Sequence, residues 1–460
     1  MLDDEGRKII PDIIMAKGFT SKSESSKSKI QTKQTLKDWV SFFEELEDPR
    51  GKQGREHDFL SIVMIAILAV IGGAQGWEDI ELYAESHQQW LAELLDLRNG
   101  VPHADTYRRV FALIEPESLQ KCFLGWIKQI AKQTQGKVIA IDGKQSRGSY
   151  DRNQKKSALH VVSAWANENR LMLGQVKVKD KSNEISAIPA WLKLLDLKDS
   201  IVTLDAMGTQ TEIADLIIRQ GGDYVLSRER IRVQCRASHG QAHLRPANHP
   251  TLLNSVRQCF SQLKSQDEVQ IESKLSYESK TESGHHRLEK RACFCFPVAQ
   301  VGLYKQEQWN GLKTIVMVTR KRYLSNKTQT ETQFYLSSLP CDAKLISRAI
   351  RQHWGIENQR SAFAQRVRST HPLRGYERKL GVVRRLVRLT PHAWVLDVTF
   401  NEDRSRIRIG HSPENFTLLR RMAISLLNQE TNSKRSLRQK TKLAAMNCNY
   451  MSNVLLTALK

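Results

Sequence analysis

Residues Lys137 to Asp142 read KVIAID, an apolar run closed by a carboxylate. Two more short apolar runs follow, Ala158 to Ala166 (ALHVVSAWA) and Leu171 to Val178 (LMLGQVKV), each bounded by turn-forming residues. Their length and punctuation predict three consecutive antiparallel strands. The pattern then changes. Ile188, Trp191, Leu192, Leu194 and Leu195 give the segment Ser186 to Leu197 one apolar helical face. A strand is predicted at Ser200 to Asp205 (SIVTLD), a helix from Thr211 to about Gln220, and a strand at Asp223 to Leu226 (DYVL). The order is three strands, helix, strand, helix, strand, which sets the fold class as α/β.

That order matches a ribonuclease-H-like mixed sheet, although other α/β layouts share it. Working outward, alternation returns between Val269 and Pro340, as in Leu312 to Arg320 (LKTIVMVTR) and Gln333 to Leu339 (QFYLSSL). We read a β-rich insertion over about 227–340. From Lys344 to Arg360 the period is helical, and the chain stays mostly helical and basic to its end. Upstream, Trp39, Phe42, Phe43 and Leu46 recur at helical intervals, followed by the apolar run Phe59 to Gly73 and then Trp77, Ile80, Leu82 and Tyr83. An all-α N-terminal domain is expected over 35–135. Residues 1–34, with the Ser/Lys run Ser21 to Lys29, lack the apolar side chains needed to offset chain entropy and read as a disordered basic arm.

Composition narrows the partner. Against 49 acids stand 71 Lys and Arg, giving a formal net charge of +22 and a pI near 9.7, a surplus that a polyanion would neutralise. The seven cysteines, at 122, 235, 259, 293, 295, 341 and 448, contain no CxxC pair and fit free thiols in a reducing compartment. Cys293 and Cys295 fall on one face of a strand, where buried small hydrophobes account for them. Phe59 to Gly73 is shorter than the ~20 residues of a membrane span and reads as a buried core helix. Asp3, Asp4 and Glu5 occupy the place of a basic leader. The expectation is a cytoplasmic, nucleoid-associated protein with no membrane partner.

Three acids stand where chemistry is built. Asp142 and Asp205 each close a predicted strand, next to the loops where α/β sheets bind ligands. Ile346, Ile350, Trp354 and Glu357 follow four, four and three spacing, so Glu357 lies on an apolar helical stripe. A carboxylate there needs a partner, either a metal ion or an arginine. Three oxygen donors from distant parts of the chain suit Mg²⁺ (or Mn²⁺) when phosphate supplies the rest of the shell. The alternative is that Asp142 and Asp205 are turn-forming or helix-capping aspartates, and IDGK is a common turn signature.

Many ordered blocks resemble the H-repeat-associated family of bacterial insertion-sequence transposases, of the DDE superfamily. In the N-terminal part these are Asp48 to His57 (DPRGKQGREH), Gly73 to Ile80 (GAQGWEDI) and Asp105 to Phe111 (DTYRRVF). In the catalytic part they are Ala140 to Gly148 (AIDGKQSRG), Leu159 to Trp165 (LHVVSAW), Leu173 to Gln175 (LGQ), Lys181 to Pro189 (KSNEISAIP) and Thr203 to Gln210 (TLDAMGTQ). Arg351 to Asn358 (RQHWGIEN), Trp394 to Arg408 (WVLDVTFNEDRSRIR) and Asn415 to Arg421 (NFTLLRR) continue the match.

The resemblance implies a ribonuclease-H-like catalytic domain over 136–460, a DNA-binding role for 35–135, and Asp142, Asp205 and Glu357 as metal-holding catalytic acids. Asp397, Glu402 and Asp403 compete for the third position, while Glu184 reads as a helix-start residue. Lys144, Arg147, Lys181, Arg351, His353 and Asn358 are the implied DNA contacts, whose other reading is surface charge and helix packing; Trp354 reads as core. The expected activity is metal-dependent cleavage and strand transfer at the element's terminal inverted repeats, by a homodimer or higher oligomer on double-stranded DNA. Two stretches depart from the family pattern, Ser227 to His249 and about Gln359 to Pro391. Both are strongly basic, and they read either as added DNA-contacting loops or as marks of a catalytically inactive DNA-binding remnant.

Overall fold

The strand around KVIAID forms as β1 (Val138–Gln145), and the runs after it form β2 (His160–Ala166) and β3 (Leu171–Lys177) in the computed structural model. The residues described are 34–35, 37–53, 55–131, 138–146, 149–150, 158–166, 171–178, 184–206, 208–235, 252–264, 276–284, 287–324, 327–358, 391–457 and 459. Residues 1–33 of the expected arm, and Arg147 and Lys181 among the expected DNA contacts, lie outside them. Both strand pairs are antiparallel, as the runs predict. Asp142 does not end β1, however: Gly143, Lys144 and Gln145 go on pairing with Val162, Val161 and His160 of β2. The Asp-Gly pair is therefore mid-strand, because a partner strand satisfies its backbone groups in place of a turn.

Helix α1 here denotes Phe59–Ile71, followed by α2 (Trp77–Ser86), α3 (Gln88–Ala92), α4 (Ala104–Leu113) and α5 (Pro116–Ala131). After β3 come α6 (Glu184–Leu192), β4 (Ile201–Leu204), α7 (Thr211–Arg219) and β5 (Asp223–Cys235). β4 lies parallel to both β1 and β5. At the β3 to α6 contact, Gly174 holds φ +133°, and a Cβ there would stand 2.4 Å from Cη2 of the fully buried Trp191. Only glycine lets the helix press this closely onto the strand.

The insertion departs from its sequence reading. β5 was expected to stop at Leu226 but runs to Cys235 with one irregularity between Ser227 and Glu229, pairing antiparallel with β9 (Lys327–Ser337). The strands β6 (Ser276–Gly284), β7 (Arg287–Pro297) and β8 (Thr314–Leu324) complete an antiparallel ribbon. The whole is one mixed sheet in the order β3-β2-β1-β4-β5-β9-β8-β7-β6. The ribbon thus extends the main sheet, since a long β5 leaves an edge whose backbone groups β9 can pair. Helix α8 (Leu252–Lys264) lies within the same stretch of chain.

Helices follow: α9 (Ala343–Asn358), α10 (Pro391–Val398), α11 (Ser412–Gln429), α12 (Leu437–Met446) and α13 (Cys448–Thr457). α1 is apolar almost all round, and every residue of it except Leu60 is buried. What buries it comes from the other end of the chain, for α11 packs on α1 on one side and on β3 on the other. Asn415 Nδ2 donates to the carbonyls of Phe111 (2.9 Å) and Ile114 (2.8 Å), and Trp39 Nε1 donates to Leu455 O (3.1 Å). The N-terminal and C-terminal helices therefore share one core with the sheet. Among the described residues no helix is long and apolar enough to cross a membrane.

Candidate active site

The site begins with strand register. β1 and β4 pair in parallel as Val138 with Ile201, Ile139 with Val202 and Ala140 with Thr203. Two residues further along each chain stand Asp142 and Asp205, level with one another on neighbouring strands that run about 4.8 Å apart. β4 ends at Leu204, so Asp205 is the first residue beyond it, at the carboxyl end of the parallel strands, the end at which α/β sheets bind ligands. One Asp205 oxygen accepts the Gly208 N–H (3.2 Å), and Thr209 Oγ1 donates to the Asp205 carbonyl (3.0 Å). The Gly208 bond fits the turn reading of Asp205 and also orients its carboxylate.

Helix α9 is brought to the same place. Asp342 caps it, accepting from the backbone N–H of Lys344 (2.8 Å) and Leu345 (3.1 Å). Ala343, Ile346, Ala349 and Ile350 bury one stripe against Val138, Val225, Val316 and Tyr335 of the sheet. His353 extends that stripe, and its Nδ1 hydrogen-bonds Thr203 Oγ1 at 2.8 Å. Thr203 lies two residues before Asp205, on the same strand face. Glu357 is one helical turn beyond His353; the side chains from Trp354 to Asn358 lie outside the described residues. On its other flank α9 is tied to the ribbon by the ion pair of Arg351 with Glu282, both partly exposed, and by Ser276 Oγ accepting the Ala343 N–H (2.8 Å).

Two of the competing acids, Asp397 and Glu402, are already engaged. Lys144, two residues past Asp142 on the same strand face, turns inward and places its ammonium 2.6 Å from both Asp397 Oδ1 and Glu402 Oε2. Glu402 is only 1% exposed. Burial pushes its pKa up, yet Lys144, Arg421 and Arg420 outweigh that and hold it below the ordinary glutamate value. Asp397 goes the other way: burial raises it, Lys144 opposes, and the nearby Asp403 and Glu402 charges add to the rise.

A second cation reaches Asp142 from the side. Register places Asp142 opposite Ser163 and Ser163 opposite Gln175, a row on one face of the sheet. Gln175 Oε1 accepts from the buried Arg421 guanidinium, while its Nε2 donates to Glu414 O (3.0 Å) and its backbone N–H donates to Gln120 Oε1 (2.9 Å). Burial lowers the Arg421 pKa, and the charges of Glu402 and Asp142 work against that fall. Arg420, also buried, lies 4.5 Å over the Phe416 ring. The sequence reading did not single out these arginines or Thr203. Their signal was positional, a charged pair inside a helix whose neighbours are almost all buried.

Two carboxylates, one within β1 and one just past the end of the adjoining β4, offer hard oxygen donors, which fit a divalent cation that keeps waters and takes phosphate oxygens. Among the described residues no group of three His, Cys, Asp or Glu could hold a metal ion, so a complete protein shell needs a donor beyond them. Asp397, Glu402 and Asp403 each keep one buried carboxylate oxygen without a hydrogen bond. Lys144 already supplies the positive charge between the first two.

Comparison with known proteins identifies the family. The family model "Transposase DDE domain" matches residues 133–378, and the model "DDE_Tnp_1-associated" matches residues 40–127. "H repeat-associated putative transposase YhhI" of Escherichia coli (strain K12) is 33% identical over 405 residues, covering 87% of this chain and 93% of the relative. "Putative transposase YncI" of Escherichia coli O157:H7 is 34% identical over 426 residues, 92% and 94% of the two chains. "H repeat-associated putative transposase YbfD" of strain K12 reaches 45% over 172 residues, 37% of this chain and 68% of that one. A solved structure, the cryo-EM piggyBac transposase synaptic complex with hairpin DNA, aligns with a TM-score of 0.32 at 10% identity over 93% of this chain and 78% of that chain, too distant to add to the assignment. With both family models in sequence and full-length relatives on either side of one-third identity, this chain belongs to the H-repeat-associated transposases, and its central part is a Transposase DDE domain.

Proposed function

We propose that the chain cleaves DNA at the terminal inverted repeats of its own element and joins the 3′ ends to target DNA, using Asp142, Asp205 and Glu357 with Mg²⁺ or Mn²⁺. The observation that carries this is the parallel register that sets Asp142 level with Asp205, with α9 bonded to that strand through His353 and Thr203 one turn before Glu357. The strand order β3-β2-β1-β4-β5 supports reading this half of the sheet as ribonuclease-H-like. Divalent cations, when bound, would supply the acidity that activates a water or 3′-hydroxyl and the charge that stabilises the leaving oxygen. The chain's part is to bring three carboxylates together beside β1 and β4, with Asp205 aimed by the Gly208 N–H and α9 fixed by His353.

DNA contacts are assigned to the basic side chains behind the net charge of +22, among them Arg147, Lys181, His353 and Asn358, with residues 35–135 as the DNA-binding part. Arg351 joins them: its exposed ion pair with Glu282 is of the kind worth about 1 kcal/mol or less, which a phosphate can displace. Lys144 is better read as an internal counter-charge, given its two carboxylate partners. Pairing of two element ends makes a dimer or larger assembly the working form.

The test is cleavage of end-containing DNA in Mg²⁺. Asp142→Ala, Asp205→Ala and Glu357→Ala should each abolish the nicked and joined products while gel-shift binding remains. Cleavage that survives Asp142→Ala and Asp205→Ala would sink the site. Wild-type binding without cleavage would favour a DNA-binding remnant, and cleavage without joined product a nuclease.

A further inference from the structure

We infer that Glu402 is a positioning residue for the metal site: a buried counter-charge paired with Lys144 and acting at longer range on Arg421, the two cations on the Asp142 face of the sheet, so that a divalent cation can be held there. The inference rests on the reading of Asp142 as a metal-holding acid.

The argument starts from the strand. Lys144 shares a face with Asp142 two residues away, and Arg421 meets the same face through the row Asp142, Ser163, Gln175. Both cations are largely withdrawn from water, Lys144 at 10% side-chain exposure and Arg421 at 1% overall, so bulk solvent screens them poorly. A third, Arg420, lies beside Arg421 and also acts on Glu402. Left uncompensated, such charges would oppose a second positive centre at Asp142 and compete for its oxygens. Glu402 answers them from one point, with Oε2 at 2.6 Å from the Lys144 ammonium and its charge reaching both arginines.

The other acids packed here do less of this work. Asp397 shares Lys144 but is more exposed than Glu402, and burial together with the Asp403 and Glu402 charges raises its pKa. Asp403 acts on Asp397. Glu414 pairs with Lys177, on the far side of Gln175. The Glu402 backbone carbonyl also accepts from Ser146 Oγ (3.3 Å), which ties its turn to the end of β1. The position that sequence reading weighed as a rival metal ligand thus acts on the metal through its neighbours, in the manner of outer partners that orient and tune ligands.

The experiment is Mn²⁺ titration of the full-length protein, followed by electron paramagnetic resonance, with circular dichroism to confirm folding. Glu402→Gln keeps the shape and removes the charge; Mn²⁺ affinity should fall about 10–100-fold, the usual range for outer-shell changes. Adding Lys144→Gln to Glu402→Gln deletes one opposing cation and should restore much of the lost affinity, which a purely structural role for Glu402 does not predict. Wild-type affinity in folded Glu402→Gln overturns the inference. So does a folded double variant whose affinity is no better than that of the single, or, where the single variant does not fold, no better than about tenfold below wild type. Asp142→Asn runs beside them: if it binds Mn²⁺ like wild type, the reading of the site has failed and the inference falls with it, whereas weakened Asp142→Asn beside unaffected Glu402→Gln sinks the inference alone.

Discussion

Glu289 on β7 gives the sharpest stability prediction. Its carboxylate, 4% exposed, lies 2.5 Å from Arg291 Nη2, 2.7 Å from Arg320 Nε and 3.1 Å from Arg322 Nε. Burial alone would raise its pKa, but hydrogen bonding and charge from Arg320, with Arg291 and Arg322 behind, bring it from 4.5 down to about 2. At about 1.4 kcal/mol per pKa unit, that depression corresponds to roughly 3 kcal/mol of folding stability. The folded value is the lower one, so the contribution is complete above pH 4.5 and fades as pH falls through about 2. Glu289→Gln would also leave three guanidiniums without their anion, and breaking a buried pair from one side costs about 3–5 kcal/mol. The assay is urea unfolding, which leaves charge pairs unscreened, of wild type and Glu289→Gln from pH 7 down to pH 3. A gap of about 3 kcal/mol should appear at pH 7 and narrow steadily below pH 4.5. A gap under about 0.5 kcal/mol at pH 7, the size of an ordinary surface change, or one that stays constant with pH, refutes the reasoning.

Gly174→Ala forces both a positive φ and a clash with Trp191, and should cost about 1–3 kcal/mol, read as a lower melting temperature; an unchanged melt would show that α6 can back away. Asn415→Ala removes two donors to buried carbonyls and should cost about 2–4 kcal/mol in urea unfolding, with a loss under 1 kcal/mol speaking against its bridging role. Thr203→Val keeps the strand but deletes the bond to His353, for about 1 kcal/mol. Its proper readout is the His353 ring resonances, which should shift; spectra identical to wild type would mean that α9 is held elsewhere.

The first three strands and both crossover helices were legible because each is specified locally, by apolar runs of strand length or a helical stripe between turn residues. Asp142 was placed at a strand end because Asp-Gly favours turns, and only the partner strand, supplying Val162 opposite Gly143, reverses that preference. The union of the ribbon with the main sheet was hidden for a similar reason. It depends on Val225 meeting Ser337 and Cys235 meeting Thr328, pairings between segments about a hundred residues apart that no local pattern announces. Lys144 read as a DNA contact or surface charge and the Arg420–Arg421 pair drew no reading, because their burial follows from helices packing over them. The level placement of Asp142 and Asp205 was foreshadowed by equal offsets from their strands, while the tether of His353 to Thr203 left no trace in either segment alone.

The shared core of the first and last helices sets a schedule for biosynthesis. α1 leaves the ribosome with its apolar surface bare, and α11, which covers it, is encoded some 340 residues later. At roughly 5–20 residues per second, that surface waits on the order of 20–70 seconds for its cover. A nascent or prematurely terminated chain is therefore a natural client for chaperones and proteases, and only a translation product carried through its last helices can close the fold that its first helices begin.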